Sequence, residues 1–281
     1  MEGREMFDML QAMCSHYDPQ IDPSRLKAYF KVDGVFPGLK QSLWPCYQGP
    51  FVRKQEFAAM GVHEATRMEL LVGSFGLIPS WSKDTTIARR TYNARSETVH
   101  EKPSYRDAWR LARHCIIPAE AIYEPDWRTG RAVATRISRA DGLPMGIAGL
   151  WTSWKTPQGD LLYSYTMLTI NCDGHPLLGR LHKPDPKLPP DAQDKRSVVP
   201  LAPADWAGWL HGDEAAARRL LTVPPASLFD PAEVDSERTV IISEREGHEN
   251  DPEWWLSEAM MASAFQIHPY RNEVIGWKGD L

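Results

Sequence analysis

No run of apolar residues in this chain of 281 approaches the roughly 20 that a membrane-spanning helix needs, so a transmembrane protein is excluded. The first residues lack the basic-then-apolar order of a signal peptide, because Glu2, Arg4, Glu5 and Asp8 are scattered through them. The cytoplasm is the expected compartment. Cysteine is scarce: four residues at 14, 46, 115 and 172, with no Cys-x-x-Cys pair, argue against a disulfide framework and against a zinc site. Neither a metal nor a cofactor is expected. Internal repeats and low-complexity tracts are also missing, which leaves one globular domain with extensions as the economical reading. A surplus of positive charge is lacking too, since 32 Lys and Arg stand against 37 Asp and Glu for a net of −5. At face value that balance argues against a nucleic-acid partner.

The balance is not evenly spread. Residues 225–281 hold 12 acidic and four basic side chains, a net of −8, and residues 1–12 hold three and one, a net of −2. The remainder, 13–224, therefore carries +5 and reads as the domain, flanked by a short N-terminal and a long acidic C-terminal extension. Within it, Glu69–Pro79, His114–Glu124, Ala132–Ser138, Met145–Trp151 and Leu161–Asn171 are rich in strand-forming residues and mostly bounded by Gly, Pro or Asp. Arg139–Gly142 and Thr156–Gly159 read as hairpin turns between them. Helices are expected after Pro103, where Tyr105, Ala108, Trp109 and Ala112 share a face, and over Pro203–His211 and Asp213–Leu221. Six prolines between Pro184 and Pro203 predict a long loop. The pattern is α+β, mostly antiparallel strands with a few flanking helices.

Four clusters could carry chemistry. Cys14 follows Met13, and a free cysteine is most often a small buried hydrophobe. If translation begins at Met13 and the methionine is removed, Cys14 instead offers a thiol and an α-amine on one residue. That pair closes on an aldehyde, the amine as a Schiff base and the thiol as second nucleophile, to give a five-membered ring. Thr91–Thr98 packs an amide, a guanidinium, a carboxylate and hydroxyls into eight residues, and its bland reading is a solvated loop. The run from Cys115 ends in Tyr123-Glu124, a carboxylate that apolar neighbours would tune toward acid–base use. The fourth cluster holds His175 and His182, between which spacing alone does not choose.

In this order, Met-Cys, Phe-Gly-Leu-Ile-Pro-Ser-Trp at 75–81, Asn-Ala-Arg-Ser-Glu-Thr at 93–98, Cys-Ile-Ile-Pro-Ala at 115–119 with Tyr123-Glu124, and the Thr169–Pro184 segment resemble the SRAP family, the SOS response-associated peptidases that process abasic sites. The resemblance covers about residues 13–222. It implies a curved, barrel-like sheet and a monomeric sensor of abasic sites in single-stranded DNA, acting in the DNA damage response. The sensor forms a covalent thiazolidine with the ring-opened sugar, with weak lyase activity by the Schiff-base route. By the same resemblance Cys14 supplies both nucleophiles, Asn93 holds the N-terminal residue, Glu124 shuttles protons, and His182 rather than His175 assists as acid or base. Arg95 matches a phosphate-contacting arginine. Trp81 and Phe75, the latter standing where the family usually has Trp, would stack on bases.

Departures sharpen the question. The family's His-x-Arg-Met-Pro becomes His182-Lys183-Pro184, and the arginine expected to contact DNA is displaced to Arg196, next to Lys195. Ser15-His16 replaces the usual Gly-Arg after the cysteine. Twelve residues precede Met13, and while they remain attached Cys14 has an amide nitrogen and cannot close the ring. Two other readings use the same residues. One is a cysteine peptidase that removes its own leader. The other is a non-catalytic binder of single strands with Arg89, Arg90 and Arg95 beside aromatic platforms.

Overall fold

Both faces of the central strands are apolar, and both are buried. The computed structural model of the protein describes residues 15–35, 37–55, 67–130 and 132–233. Cys14, the 1–12 extension and nearly all of the acidic tail, with Trp254 and Trp255, lie outside the described residues. Along the chain the strands are β1 (His16–Pro19), β2 (Gln48–Lys54), β3 (Met68–Phe75), β4 (Asn93–Arg95), β5 (His114–Asp126), β6 (Val133–Arg139), β7 (Met145–Lys155), β8 (Leu161–Asn171), β9 (Arg196–Val198), β10 (Pro200–Leu201) and β11 (Phe229–Glu233). Short helices span Pro23–Arg25, Arg106–Arg110, Trp206–His211 and Glu214–Leu220.

Five strands close on themselves. The order β7-β8-β3-β2-β5 returns to β7 through Ile117 opposite Ile147, so the sheet is a barrel without free edges at its centre. Every ladder around it is antiparallel except β3 with β8, where Phe75 lies opposite Tyr165. Side chains alternate between two cores as the pleat requires. Phe51, Cys115, Ile117, Ile147 and Met167 face the interior with Tyr17, Phe75 and Tyr165. Their neighbours Val52, Ile116, Ala148 and Leu168 face outward, under Leu26, Phe30, Trp109, Trp206 and Trp209. This double burial is why the strands read as nearly continuous apolar runs.

The hairpin turns close as expected, with Gly142 N–H to Arg139 O at 3.1 Å and Gly159 N–H to Thr156 O at 2.9 Å. The helix at Glu214 is capped by Asp213, whose carboxylate accepts from Ala216 N–H at 2.8 Å. The proline-rich loop is shorter than its prolines predict. Arg196–Val198 and Pro200–Leu201 pair with β8 and β7, because the first segment has no proline and Pro200 stands at the first position of its strand, where no ladder N–H is required. At the other end, β11 lies beside β6 with Phe229, five residues past 224, buried in the interior core.

Two histidines are buried uncharged. His114 donates from Nδ1 to Trp209 O at 2.8 Å and stacks on that indole, and burial lowers its pKa to about 4. Burial lowers His16 further, to about 3. The unfolded chain binds a proton at each below the ordinary 6.5 while the folded chain does not, so stability falls as pH falls from 6.5 to about 4, and on to about 3 through His16 alone. Each site contributes at most ~1.4 kcal/mol per pH unit. Denaturant melts are expected to show lower stability at pH 5 than at pH 7, and His114→Gln is expected to halve the slope. A flat profile over that interval would contradict the assignment.

Candidate active site

The long strand β5 delivers Glu124 to one end of the barrel. Tyr123 and Glu124 pair with Arg136 and Thr135 of β6, which fixes the carboxylate on a rigid ladder. The segment 180–182 lies along the end of β5: Trp127 N–H donates to Arg180 O at 3.1 Å, Leu181 bridges Asp126, and His182 N–H donates to Pro125 O at 2.8 Å. His182 adopts a left-handed backbone, φ 62°, unusual for a residue with a side chain. The result is a close pair. His182 Nε2 sits 2.8 Å from Glu124 Oε2, with both side chains buried, although the two atoms are out of line for a good hydrogen bond. The pair sets side by side two side chains of the kinds that serve as general acids and bases.

The N-terminal strand arrives at the same place. In β1, His16 lies opposite Tyr123, the residue before Glu124, and Tyr17 opposite Ile122. His16 is clamped between Trp44 and Tyr123, with ring centroids 4.5 and 4.1 Å away and planes within 15°. Tyr123 O–H and Ser42 O–H both donate to Asp18, at 2.8 and 3.1 Å, which leaves Ser42 Oγ to accept from His16 Nε2. A protonated ring would have to lose its solvation in this stack, so His16 stays neutral and serves as a fixed pin for the strand that follows Cys14.

The cluster at 93–98 is ordered rather than solvated. β4 runs parallel to β8 with Asn93 opposite Met167, and Tyr105 O–H donates to Asn93 O at 2.9 Å. Burial raises the Tyr105 phenol, so it remains a donor. Arg95 projects outward and pairs with Asp194 at 2.7 Å. Trp81 is 54% exposed, its indole N–H on Pro103 O, and Arg89 and Arg90 are exposed at the end of a short turn of helix. His175 proves to be structural: Nδ1 accepts from Leu177 N–H and Leu178 N–H, and Nε2 donates to Pro224 O. Both nitrogens are spent on the backbone, so of the two histidines only His182 faces the carboxylate.

The model of the SOS response associated peptidase (SRAP) family matches residues 13–238. The chain belongs to the SRAP family. The abasic site processing protein YoqW of Bacillus subtilis (strain 168) is 35% identical over 129 residues, 45% of this chain and 55% of YoqW. The abasic site processing protein HMCES of Pongo abelii is 28% identical over 202 residues, 59% of this chain and 55% of HMCES. The chain thus spans about half the length of the curated relatives it matches. A crystal structure of a Bordetella bronchiseptica protein superposes with a TM-score of 0.67 at 39% identity, covering 79% of this chain and all of that one. A Bacteroides thetaiotaomicron protein at 18% identity gives 0.66, a likeness of fold alone, over 81% and 94% of the two chains.

Two expected DNA contacts of this SRAP domain need correction. Phe75 is wholly buried at the end of β3, stacked on Tyr165 and edge-on to Tyr17 and Tyr92, and so has no face to offer a base. Arg196 is buried as well. Its guanidinium forks onto Glu97 at 2.6 and 3.1 Å and also reaches Asp194 and Thr169 O, so it braces the 93–98 segment instead of reaching a phosphate. Burial would raise the Glu97 carboxyl, but the hydrogen bonds and charge of Arg196 together with backbone hydrogen bonds, one of them from Asn171 N–H, outweigh it and hold the pKa below the ordinary value. Sequence reasoning missed Trp44, Ser42 and Asp194 because none lies in a motif. A lone acid after an irregular loop gives no sign that it will meet Arg95.

Proposed function

We propose that this SRAP domain captures abasic sites in single-stranded DNA as a covalent thiazolidine through Cys14. The observation that carries the reading is the buried Glu124–His182 pair at the point where β1, which begins two residues after Cys14, meets β5. The names of its relatives, abasic site processing proteins, support the substrate class.

In the reaction the sugar ring opens to expose the C1′ aldehyde. The Cys14 amine adds to C1′, the carbinolamine loses water with a proton supplied by the acid–base pair, and the resulting C=N accepts the Cys14 sulfur. The thiol proton ends on the ring nitrogen, so aldehyde and aminothiol give thiazolidine and one water. The Schiff base is also the species from which β-elimination cuts the strand, and sulfur capture diverts it. That competition accounts for lyase activity that is weak. Arg95 and Trp81, exposed on the surface, suit a phosphate and a base respectively.

Protein beginning at Cys14 is expected to form an adduct with an abasic single-stranded oligonucleotide that survives a denaturing gel, while protein retaining residues 1–13 forms none. No adduct from the Cys14-initiated protein, under conditions where free cysteine conjugates the same oligonucleotide, would overturn the reading. Retained binding without an adduct would favour the non-catalytic alternative.

A further inference from the structure

The geometry points to Lys195 as the residue that positions His182, an inference resting on the reading of His182 as an acid–base group. Lys195 is 6% exposed, and its ammonium donates to Leu181 O at 2.8 Å and to His182 O at 2.6 Å. With His182 N–H already on Pro125 O, both backbone groups of His182 are engaged. A left-handed backbone at a non-glycine residue persists only where the surroundings over-determine it, and here a strand holds its N–H and a buried cation its carbonyl.

Lys195 is itself anchored. Its N–H donates to Asp173 Oδ1 at 2.9 Å and its carbonyl accepts from Cys172 N–H at 2.6 Å, while Asp173 Oδ2 accepts from Asp194 N–H at 3.0 Å. The returning stem of the proline-rich loop is thereby fixed to the turn after β8, and the ammonium crosses from that stem to the outgoing one. Burial works against the charged amine, and the nearby Asp173 partly offsets it. Placing a cation there is costly unless it has a task, and its two hydrogen bonds both fall on carbonyls that flank or belong to His182. Where the family places an arginine two residues after the histidine, this chain has Pro184. A basic residue from across the loop returns to hold the histidine in place.

The test is a double-mutant cycle on the Cys14-initiated protein, reading the rate of adduct formation at saturating abasic oligonucleotide alongside affinity for an intact one. Lys195→Met keeps the hydrocarbon volume and drops the charge. It is expected to slow the adduct about tenfold or more while affinity stays within about twofold, and to add nothing in the His182→Ala background. If Lys195→Met fails to fold, Lys195→Gln takes its place, keeping N–H donors without the charge. A wild-type rate in Lys195→Met while His182→Ala is slow would overturn the role of Lys195 alone. An equal slowing with and without His182 would show that Lys195 acts through the general fold and would also overturn it. A wild-type rate in His182→Ala would instead overturn the acid–base role on which the inference rests.

Discussion

Glu124→Gln is expected to slow adduct formation by about 10²-fold or more, with affinity for intact single strands nearly unchanged. Glutamine keeps the shape, fits the same β5 position and retains an oxygen toward His182, so packing and DNA contact are preserved. What it loses is the ability to take up and return a proton, and the charge that a protonated His182 would face at 2.8 Å. Dehydration of the carbinolamine needs a proton delivered to the departing hydroxyl and closure by sulfur needs one moved from the thiol to the nitrogen, both around C1′, so one substitution strikes two steps. The measurement is the single-turnover rate of the gel-shifted species at saturating DNA, with a thermal melt as control. A rate within about threefold of wild type, in a protein that melts normally, would remove Glu124 from the chemistry.

Gly76→Ala carries the largest expected cost in stability. Gly76 follows β3 with φ +122°, a region essentially closed to other residues and worth ~1–3 kcal/mol of strain by itself. A methyl group would also fall 2.1 Å from Ala88 O and 2.7 Å from Ala88 C, backbone atoms that cannot rotate away. The same glycine donates its N–H to Tyr165 O at 2.8 Å, so the chain cannot retreat without opening the one parallel seam of the barrel. The sum is ~4 kcal/mol or more, a large part of the whole stability of a typical domain. Insoluble protein or a melting temperature lower by ~10 °C or more is the expected outcome. Gly174 is the control, since its φ is +76° but nothing lies within 4 Å of the added carbon. Alanine there is expected to cost only ~1 kcal/mol. Equal melting temperatures for the two variants would contradict the steric account.

What could be read from sequence follows from how local the signal is. Leu161–Asn171 is a strand in both the reading and the structure, and His114–Glu124 extends by only two residues, because their runs of Ile, Val, Leu and Tyr are long and bounded by turns. His16–Pro19 was invisible: four residues with an Asp and a Pro become a strand only because β5 offers an edge. Asn93–Arg95 reads as surface for the same reason, its order coming from β8 and from Arg196, about a hundred residues away. Phe75 was misplaced because a chain buried on both faces lacks the alternation that distinguishes inside from outside. Glu124 is legible as a carboxylate ending an apolar run and His182 as one of two candidate histidines, but the choice of His182 comes from the resemblance, and their contact depends on a left-handed turn and a lysine across a loop that no local pattern encodes.

β5 exchanges hydrogen bonds with four strands, β1, β2, β6 and β7, a number that β8 matches among the described residues through β3, β4, β7 and β9. The amides of β5, like those of β8, should be among the slowest in the domain to exchange with deuterated water, since releasing them means opening the barrel. The His182 N–H, bonded to Pro125 O from a segment outside the barrel ladders, can be released without opening the barrel and should exchange faster. The carboxylate thus inherits the permanence of the fold, while the imidazole opposite it is held by bonds that can open on their own.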